Sequence, residues 1–315
     1  MNILMTGGTG YLGSHILSKL NKRKNKIILI DKTKDKKKLN ILSSNYLIYS
    51  SKINHSSLLK IFRKHNIDCV IHLASNIKQK NNNVSLFKDD LDTLTLIIKF
   101  LKIFKTKFFL YSSSCDVYGN NQNIKLKENF KCKPISNYGK SKLKLEKTIK
   151  LLLKNTKTKY QILRIFNLIG FEKNYQNINI FNRSNLISNI IKNYQKRKTL
   201  KLYGYKCKSL DGSCVRDYLH ISDFAKIFIS LLNKIKKIKS GVVNIGSSVP
   251  LSNLEIIKQI EMNNKIIIPY SNCKKRKNES SHLVADNNKL KSIINLKDSF
   301  FKRKLNLSSY NIFFK

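Results

Sequence analysis

The 315-residue sequence predicts an α/β fold: a doubly wound parallel sheet covered by helices on both faces, followed by a smaller α/β lobe. Three observations predict it. Short, continuous apolar runs alternate with helix-patterned segments from residue 2 to about 166, the pattern of strands buried on both faces and joined by helical crossovers. A glycine-rich turn, Thr6-Gly7-Gly8-Thr9-Gly10-Tyr11-Leu12-Gly13, follows the first of these runs and opens into a segment with helical apolar spacing (Leu12, Ile16, Leu17, Leu20). Beyond 166 the pattern becomes irregular and Asn-rich, as a lobe of short elements would be.

Taken in order, strands are expected at 2–6, 26–31, 46–49, 68–74, 107–113 and 159–166, with helices at 11–22, 55–65, 85–104 and 138–155. Residues 242–246 (Val-Val-Asn-Ile-Gly) add a late strand to the first domain. The expected division is 1–166 for the sheet domain and 167–315 for a mainly ligand-binding lobe, interleaved through that strand. There is no internal repeat, and the lysine runs at 34–38 and 234–239 read as exposed surface. Ligands of such sheets bind beyond the carboxyl ends of the strands, which directs attention to the residues after Met5, Ile30, Leu73, Tyr111 and Phe166.

The glycine-rich turn is in the context a dinucleotide fingerprint requires, a strand–turn–helix junction of the Rossmann type. Of Gly7, Gly10 and Gly13, one permits the tight turn, one lets the backbone approach a pyrophosphate, and one lets the helix pack close to the strand. Amides and dipole at the helix start then hold phosphate charge, with Tyr11 and Leu12 beside them as candidate cofactor contacts. Asp31 ends the next apolar run, where a carboxylate holds the adenosine ribose. It would repel a 2′-phosphate and so favours NAD over NADP, although Lys32 and Lys34 pull the other way. The bland reading is a glycine-rich turn without a ligand; its place at the first strand, with Asp31 after the second, favours nucleotide.

Composition sets limits. Hydrophobic residues make up 41% of the chain, and its longest apolar stretches, such as Leu94–Phe104, are broken by lysine, so none reads as a membrane span. The first strand begins at once, leaving no room for a signal peptide, and a cytoplasmic setting is expected. The six cysteines show no C-x-x-C spacing and read as reduced structural thiols. Cys207 and Cys214 with His220 are the one conceivable metal set, and no metal is expected. There are 62 Lys and Arg against 18 Asp and Glu, a formal +44. Such a balance points to a polyanion partner. Lysine is, however, spread over the whole chain together with asparagine and isoleucine, all with A/T-rich codons, so solvated faces rather than a specific nucleic-acid site are expected.

Two strand ends carry chemistry. The run at 107–111 leads into Ser112-Ser113-Ser114-Cys115-Asp116-Val117-Tyr118-Gly119, and a helix near Asn137 carries Tyr138-Gly139-Lys140-Ser141-Lys142. Tyr138 and Lys142, four apart, share one helix face. A free tyrosine, with a pKa of about 10, is a poor base at neutral pH. A nearby ammonium and a positive nicotinamide ring favour the phenolate. A serine hydroxyl from the neighbouring strand end can share the same substrate oxygen.

These motifs give the chain a specific resemblance. TGGTGYLGSH (6–15), IDCVIHLAS (67–75), SSSCDVYG (112–119), SNYGKSKLKLE (136–146), LRIFNLIG (163–170) and DGSCVRDYLHISD (211–223) resemble the extended short-chain dehydrogenase/reductases and, within them, the UDP-glucose 4-epimerase family. The resemblance spans residues 1 to about 290. It implies Ser114, Tyr138 and Lys142 as a catalytic trio, and it adds Ala74 and Phe166, with Tyr138 and Lys142, to the contacts of a retained NAD. It places Asn167, Asn185 and Leu186 against a sugar nucleotide, Arg216 and Arg276 on its diphosphate, and Glu279 as an acidic ligand residue. Guanidinium groups suit bidentate pairing with phosphate oxygens; the bland reading of Arg216 is a salt bridge to Asp217. The implied reaction inverts C4 of a UDP-hexose through a 4-keto intermediate, on UDP-glucose and UDP-galactose. Leu283, where family members restricted to that pair carry tyrosine, extends the expectation to the N-acetylated sugars. Homodimers are common in the family.

The sequence also departs from the family pattern. Ser51 stands for an adenine-contacting Asp, Asp90 for an Asn before a helix, Ile77 for a lysine that Lys78 could replace, and Ile165 for an aromatic residue. Two alternatives accompany the main reading. A sister 4,6-dehydratase needs an acid and a base before Val-Tyr-Gly, and Cys115-Asp116 lacks the acid. A basic binding protein on a retained epimerase scaffold is the other.

Overall fold

The apolar runs of the first half form strands because helices cover them on both sides, so Ile27–Ile30, Cys69–Ile71 and Phe108–Leu110 are all buried. The computed structural model describes residues 1–20, 24–33, 46–75, 84–120, 124–171, 186–207, 209–276, 278–295 and 307–314. The chain runs through β1 (Asn2–Thr6), α1 (Tyr11–Lys19), β2 (Lys26–Asp31), β3 (Leu47–Ser50), α2 (His55–Lys64), β4 (Cys69–His72), α3 (Val84–Ile103), β5 (Phe108–Ser114), β6 (Lys125–Leu126), α4 (Asn137–Leu153) and β7 (Lys159–Ile165). It continues through β8 (Asn167–Ile169), α5 (Leu186–Gln195), β9 (Leu200–Tyr205), β10 (Val215–His220), α6 (Ile221–Lys234), β11 (Gly241–Ile245), β12 (Pro250–Ser252), α7 (Asn253–Asn264), β13 (Tyr270–Lys274), β14 (His282–Ala285) and α8 (Asn288–Ile294).

The contacts divide the chain into two units: 1–113 with 141–163 and 225–243, and 114–140 with 164–224 and 244–315. In this division 114–140 group with the second unit and 225–243 with the first.

A seven-stranded sheet has the order β3-β2-β1-β4-β5-β7-β11. Its β1–β2, β2–β3, β1–β4 and β4–β5 pairs are parallel. Strand order turns back at β1, with β2 on one side and β4 on the other, which is where such a sheet opens a crevice at its carboxyl edge. The late strand is Gly241–Ile245, at the sheet's edge. Strand β4 ends at His72, short of the expected residue 74: Leu73 N–H still donates to the Thr6 carbonyl (3.2 Å), whereas Ala74 N–H leaves the ladder and donates to the Thr6 side-chain Oγ1 (3.2 Å). Helix α1 ends at Lys19, and residues 21–23 lie outside the described residues. Helix α2 is capped by Asn54, whose side chain accepts from Ser57 N–H in a reciprocal capping box. Its Phe62 packs on Phe100 of α3 (5.4 Å between ring centroids), within an apolar core that includes Leu58, Leu94, Ile97 and Phe109. Each such fully buried side chain contributes about 1.5–3 kcal/mol.

In the second unit, β10 is the hub. It pairs with β12, β14 and β8, and β14 pairs in turn with β6, while β9 and β13 form a separate two-stranded ribbon. The buried Asp217 carboxylate accepts from Ser247 N–H (2.7 Å), Ser247 Oγ (2.6 Å), Ser248 N–H (2.8 Å) and Ala285 N–H (3.1 Å), tying β10 to β14 and to the turn after β11. Ile187, Ile190 and Ile191 of α5 and Ile256, Ile257 and Ile260 of α7 belong to one apolar cluster with Tyr218. No helix of the described residues is long and apolar enough to cross a membrane.

Candidate active site

In the first unit the glycine-rich turn closes tightly on the ends of β1 and β4. Gly7 has φ +71°, and a Cβ there would stand 2.8 Å from Ala74 N; one on Gly13 would stand 2.5 Å from the Gly7 carbonyl oxygen. Only glycine satisfies both demands. Gly10 caps α1 without a side-chain hydrogen bond, so no side chain competes for the orphan amides that an anion takes at a helix start. Asp31, at the end of β2, is held against the turn: Oδ2 accepts from Thr9 N–H (3.2 Å) and Thr9 Oγ1 (2.8 Å), and Oδ1 accepts from Thr33 N–H (3.1 Å). Carboxylate oxygens have lone pairs to spare for ribose hydroxyls. Tyr11 is buried edge-on to His15, 5.2 Å between ring centroids, and Leu12 is half-buried. This cradle fits a dinucleotide.

Lys142 is 3% exposed. Its Nζ donates to Tyr111 Oη (3.3 Å) and to the Ser112 carbonyl (3.1 Å), and it lies 5.1 Å from the centroid of the Tyr111 ring. Burial pulls its pKa down to about 8, against the charges of Asp90 and Glu146, which raise it. His72 is kept neutral, its pKa lowered to about 3 by burial and then by Lys142, and its Nδ1 lies 2.7 Å from Thr6 Oγ1. Glu146 is wholly buried one helical turn beyond Lys142, and its Oε1 accepts from Ser113 Oγ at 2.5 Å.

The second unit holds Ser114 and Tyr138. Ser114 caps the 3-10 turn Cys115–Tyr118, its Oγ accepting from Asp116 N–H (3.2 Å). A Cβ on Gly139 would stand 2.4 Å from the Asp116 carbonyl oxygen, so the start of α4 rests directly on this turn. The glycine after Tyr138 thus brings the Tyr138 and Ser114 segments together. Phe166 is buried 6.4 Å from the Tyr118 ring, and its N–H donates to the Ile245 carbonyl. Asn167 Nδ2 is buried without a hydrogen-bond partner among the described residues, an unmet donor of the kind a ligand satisfies.

Arg216 is buried on β10. Its Nη1 donates to the carbonyls of Val215 (2.9 Å) and Ser281 (3.4 Å), and its Nη2 meets Glu279 Oε1 at 3.5 Å. The salt bridge is therefore with Glu279, not with neighbouring Asp217, whose carboxylate is taken up by the turn after β11. Glu279 Oε2 is buried and has no hydrogen-bond partner among the described residues. Burial works against the Arg216 charge, but Cys214, Glu279, Tyr218 and Cys115 more than offset it and its pKa is raised. Asp116 has a raised pKa because burial outweighs the nearby Arg216 charge, and Glu279 adds to the rise. Arg276 is exposed and stacks on Tyr203, 3.9 Å from the ring centroid. Leu186 begins α5, half-buried, and Asn185 lies outside the described residues, as do Ile77 and Lys78. Cys207 and Cys214 place their sulfurs 3.0 Å apart, whereas His220 Nδ1 faces Ser222 Oγ at 2.7 Å. Among the described residues no three His, Cys, Asp or Glu gather as a metal site.

Sequence reasoning missed two members of this chemistry: Glu146, and Glu279 as the partner of Arg216. Glu146 had a signal, since it follows Lys142 by four positions and so shares its helix face.

The family model for the NAD dependent epimerase/dehydratase family matches residues 3–246, and the chain belongs to that family. Its cofactor is accordingly NAD. Among curated relatives, the UDP-glucose 4-epimerase of Halalkalibacterium halodurans is 30% identical over 308 residues, covering 93% of this chain and 90% of the relative. The UDP-glucose 4-epimerase of Lactobacillus helveticus is 28% identical over 306 residues, covering 94% and 92%. Among solved structures, a UDP-glucose 4-epimerase from Stenotrophomonas maltophila with bound NAD and formylated UDP-arabinopyranose superposes with a TM-score of 0.88 at 21% identity, covering 99% of this chain and 96% of that one.

Proposed function

We propose that this protein is an NAD-dependent epimerase that inverts C4 of a UDP-hexose, interconverting UDP-glucose and UDP-galactose. Carbon 4 of the sugar has no neighbouring carbonyl, so its hydrogen is not acidic and cannot be removed and returned as a proton. Oxidation to the 4-ketone makes the centre planar, and reduction from the other face inverts it. NAD, when bound, supplies reversible acceptance of the C4 hydride. Gly7, Gly10, Gly13, Tyr11, Leu12, Asp31, Ala74 and Phe166 are the residues proposed to hold it.

The protein's own groups manage the proton and the orientation. Tyr138 takes the proton of the 4-hydroxyl as general base and returns it after inversion. Ser114 Oγ donates to the same sugar oxygen, and Lys142 stabilises the tyrosine in its charged form. Arg216 and Arg276 grip the diphosphate while Asn167, Asn185, Leu186 and Glu279 border the rest of the nucleotide, so that the sugar turns over without leaving. The Arg216–Glu279 contact keeps the guanidinium in position, and a diphosphate brings a stronger anion to it.

The observation that carries this reading is the buried Lys142 ammonium, anchored on Tyr111 and Ser112 one helical turn after Tyr138. Pure protein incubated with UDP-galactose should form UDP-glucose. Formation of a 4-keto-6-deoxy product instead would favour the dehydratase reading, and no conversion by the NAD-loaded protein would favour a binding protein.

A further inference from the structure

The segment between β13 and β14 carries Arg276 and Glu279, two of the groups proposed above to face the sugar nucleotide. Lys275 opens it, half-buried, although its neighbours Lys274 and Arg276 are exposed. Its Nζ reaches across the segment and donates to Ser281 Oγ at 3.0 Å. We infer that Lys275 is a positioning residue: with Ser281 it closes a clasp that fixes the segment bearing Arg276 and Glu279, and with it the Arg216–Glu279 pair, for the diphosphate of the substrate. This rests on the function proposed above, in which these groups bind the anionic nucleotide.

Ser281 can hold the clasp because it is itself tied down at each polar atom. Its N–H donates to Asn120 Oδ1 (3.0 Å), and its carbonyl accepts from Val215 N–H (2.9 Å) and from Arg216 Nη1 (3.4 Å). Ser280 Oγ adds a bond to the Gly119 carbonyl (2.8 Å). From Ser281 the contacts run back to Lys275. Arg216 Nη2 meets Glu279 Oε1 at 3.5 Å, Glu279 N–H donates to the Arg276 carbonyl at 3.1 Å, and Arg276 follows Lys275 in the chain, its guanidinium stacked on Tyr203. The Lys275 ammonium closes this ring of contacts. A segment ordered before it binds gives up less freedom on binding, so the clasp acts on affinity. It touches no reacting group, which leaves the chemical step alone.

The test is the binding of UDP to the NAD-loaded protein, measured by calorimetry, beside steady-state turnover of UDP-galactose. Lys275→Met removes the ammonium, and Ser281→Ala removes its acceptor while leaving the carbonyl that Arg216 uses. Each should weaken UDP binding about three- to tenfold, the span of one net hydrogen bond. KM should rise by a similar factor with kcat little changed, the mark of lost uniform binding. Lys275→Arg, which can still donate to Ser281, should keep most of the affinity. The double variant should lose no more than the weaker-binding single one, because both break the same bond. Unchanged UDP affinity in both single variants overturns the inference. So does a loss confined to one of them; confined to Lys275→Met, it would make Lys275 a direct phosphate contact. Hydrogen exchange of a peptide containing the Glu279 and Ser281 amides reads the clasp without substrate. It should be faster in both variants than in the wild type, and equal exchange also overturns the inference. A wild-type protein that binds no UDP would instead remove the functional reading, and the exchange would still decide whether Lys275 and Ser281 hold the segment.

Discussion

A tyrosine is a base at neutral pH only if something stabilises its anion, so the residue-scale account turns on Tyr138 and the charge behind it. Tyr138→Phe removes the oxygen proposed to accept the sugar's proton and leaves the ring. Turnover should fall by about 10²–10⁴-fold, the usual contribution of general base catalysis, with NAD retention and melting temperature unchanged; steady-state kinetics beside a cofactor assay check this. Leu283 makes a second residue-level prediction. It is 3% exposed on β14, in register with Arg216 of β10. Leucine is shorter than tyrosine and brings no hydroxyl, so at the sugar-pocket position the resemblance implies for it, it would leave more room for a substituent on the sugar. The expectation is activity on UDP-N-acetylglucosamine as well as UDP-glucose, with Leu283→Tyr suppressing the former selectively. The absence of N-acetylgalactosamine product under conditions that turn over UDP-galactose would contradict it. Asp217 supplies the structural contrast, since its four acceptor bonds hold the second unit together. Asp217→Ala strands several buried donors at about 1–3 kcal/mol each, so its unfolding midpoint in urea should drop sharply.

At the scale of elements, helix α4 is placed by its glycine rather than by its apolar face alone. A side chain at Gly139 meets the Asp116 carbonyl, so Gly139→Val must push the helix start away from the Ser114 turn. Displacements of about 1 Å in a reacting group can cost a hundredfold in rate. We expect Gly139→Val to lose at least that much turnover, and Lys140→Val, exposed on the next position, to lose little. The elements themselves were legible in the sequence wherever an apolar run had a buried counterpart on each side, as for β1, β2, β5 and β7. The β4 boundary shifted for a tertiary reason: beyond His72 the Ala74 amide turns from the ladder to the side chain of Thr6, distant in sequence. Of the site, the parts borne on one turn or one helix could be read in advance, namely the glycine-rich turn and the Tyr138–Lys142 spacing. The Ser75–Asp90 contact spans 15 positions and the Arg216–Glu279 contact 63, and no local pattern encodes pairings made only when the chain closes.

For the whole molecule, a formal charge of +44 is the property most open to misreading. Lysines line the exposed side of α4 at 140, 144, 147 and 150, spaced so that like charges repel along one face. Such a surface attracts any polyanion without reading its sequence. Nucleic-acid binding should therefore be weak, indifferent to sequence, and lost by about 200 mM salt, the range over which phosphate contacts weaken steeply. Gel shifts over a salt series test this, and selective binding that persists would show that the charge serves a dedicated partner. The central claim for the molecule is that the hydrogen at C4 leaves the sugar and comes back to its other face. UDP-galactose deuterated at C4 tests it most directly. The account predicts UDP-glucose that retains the deuterium at C4 in ordinary water; UDP-glucose with solvent hydrogen at C4 would contradict it.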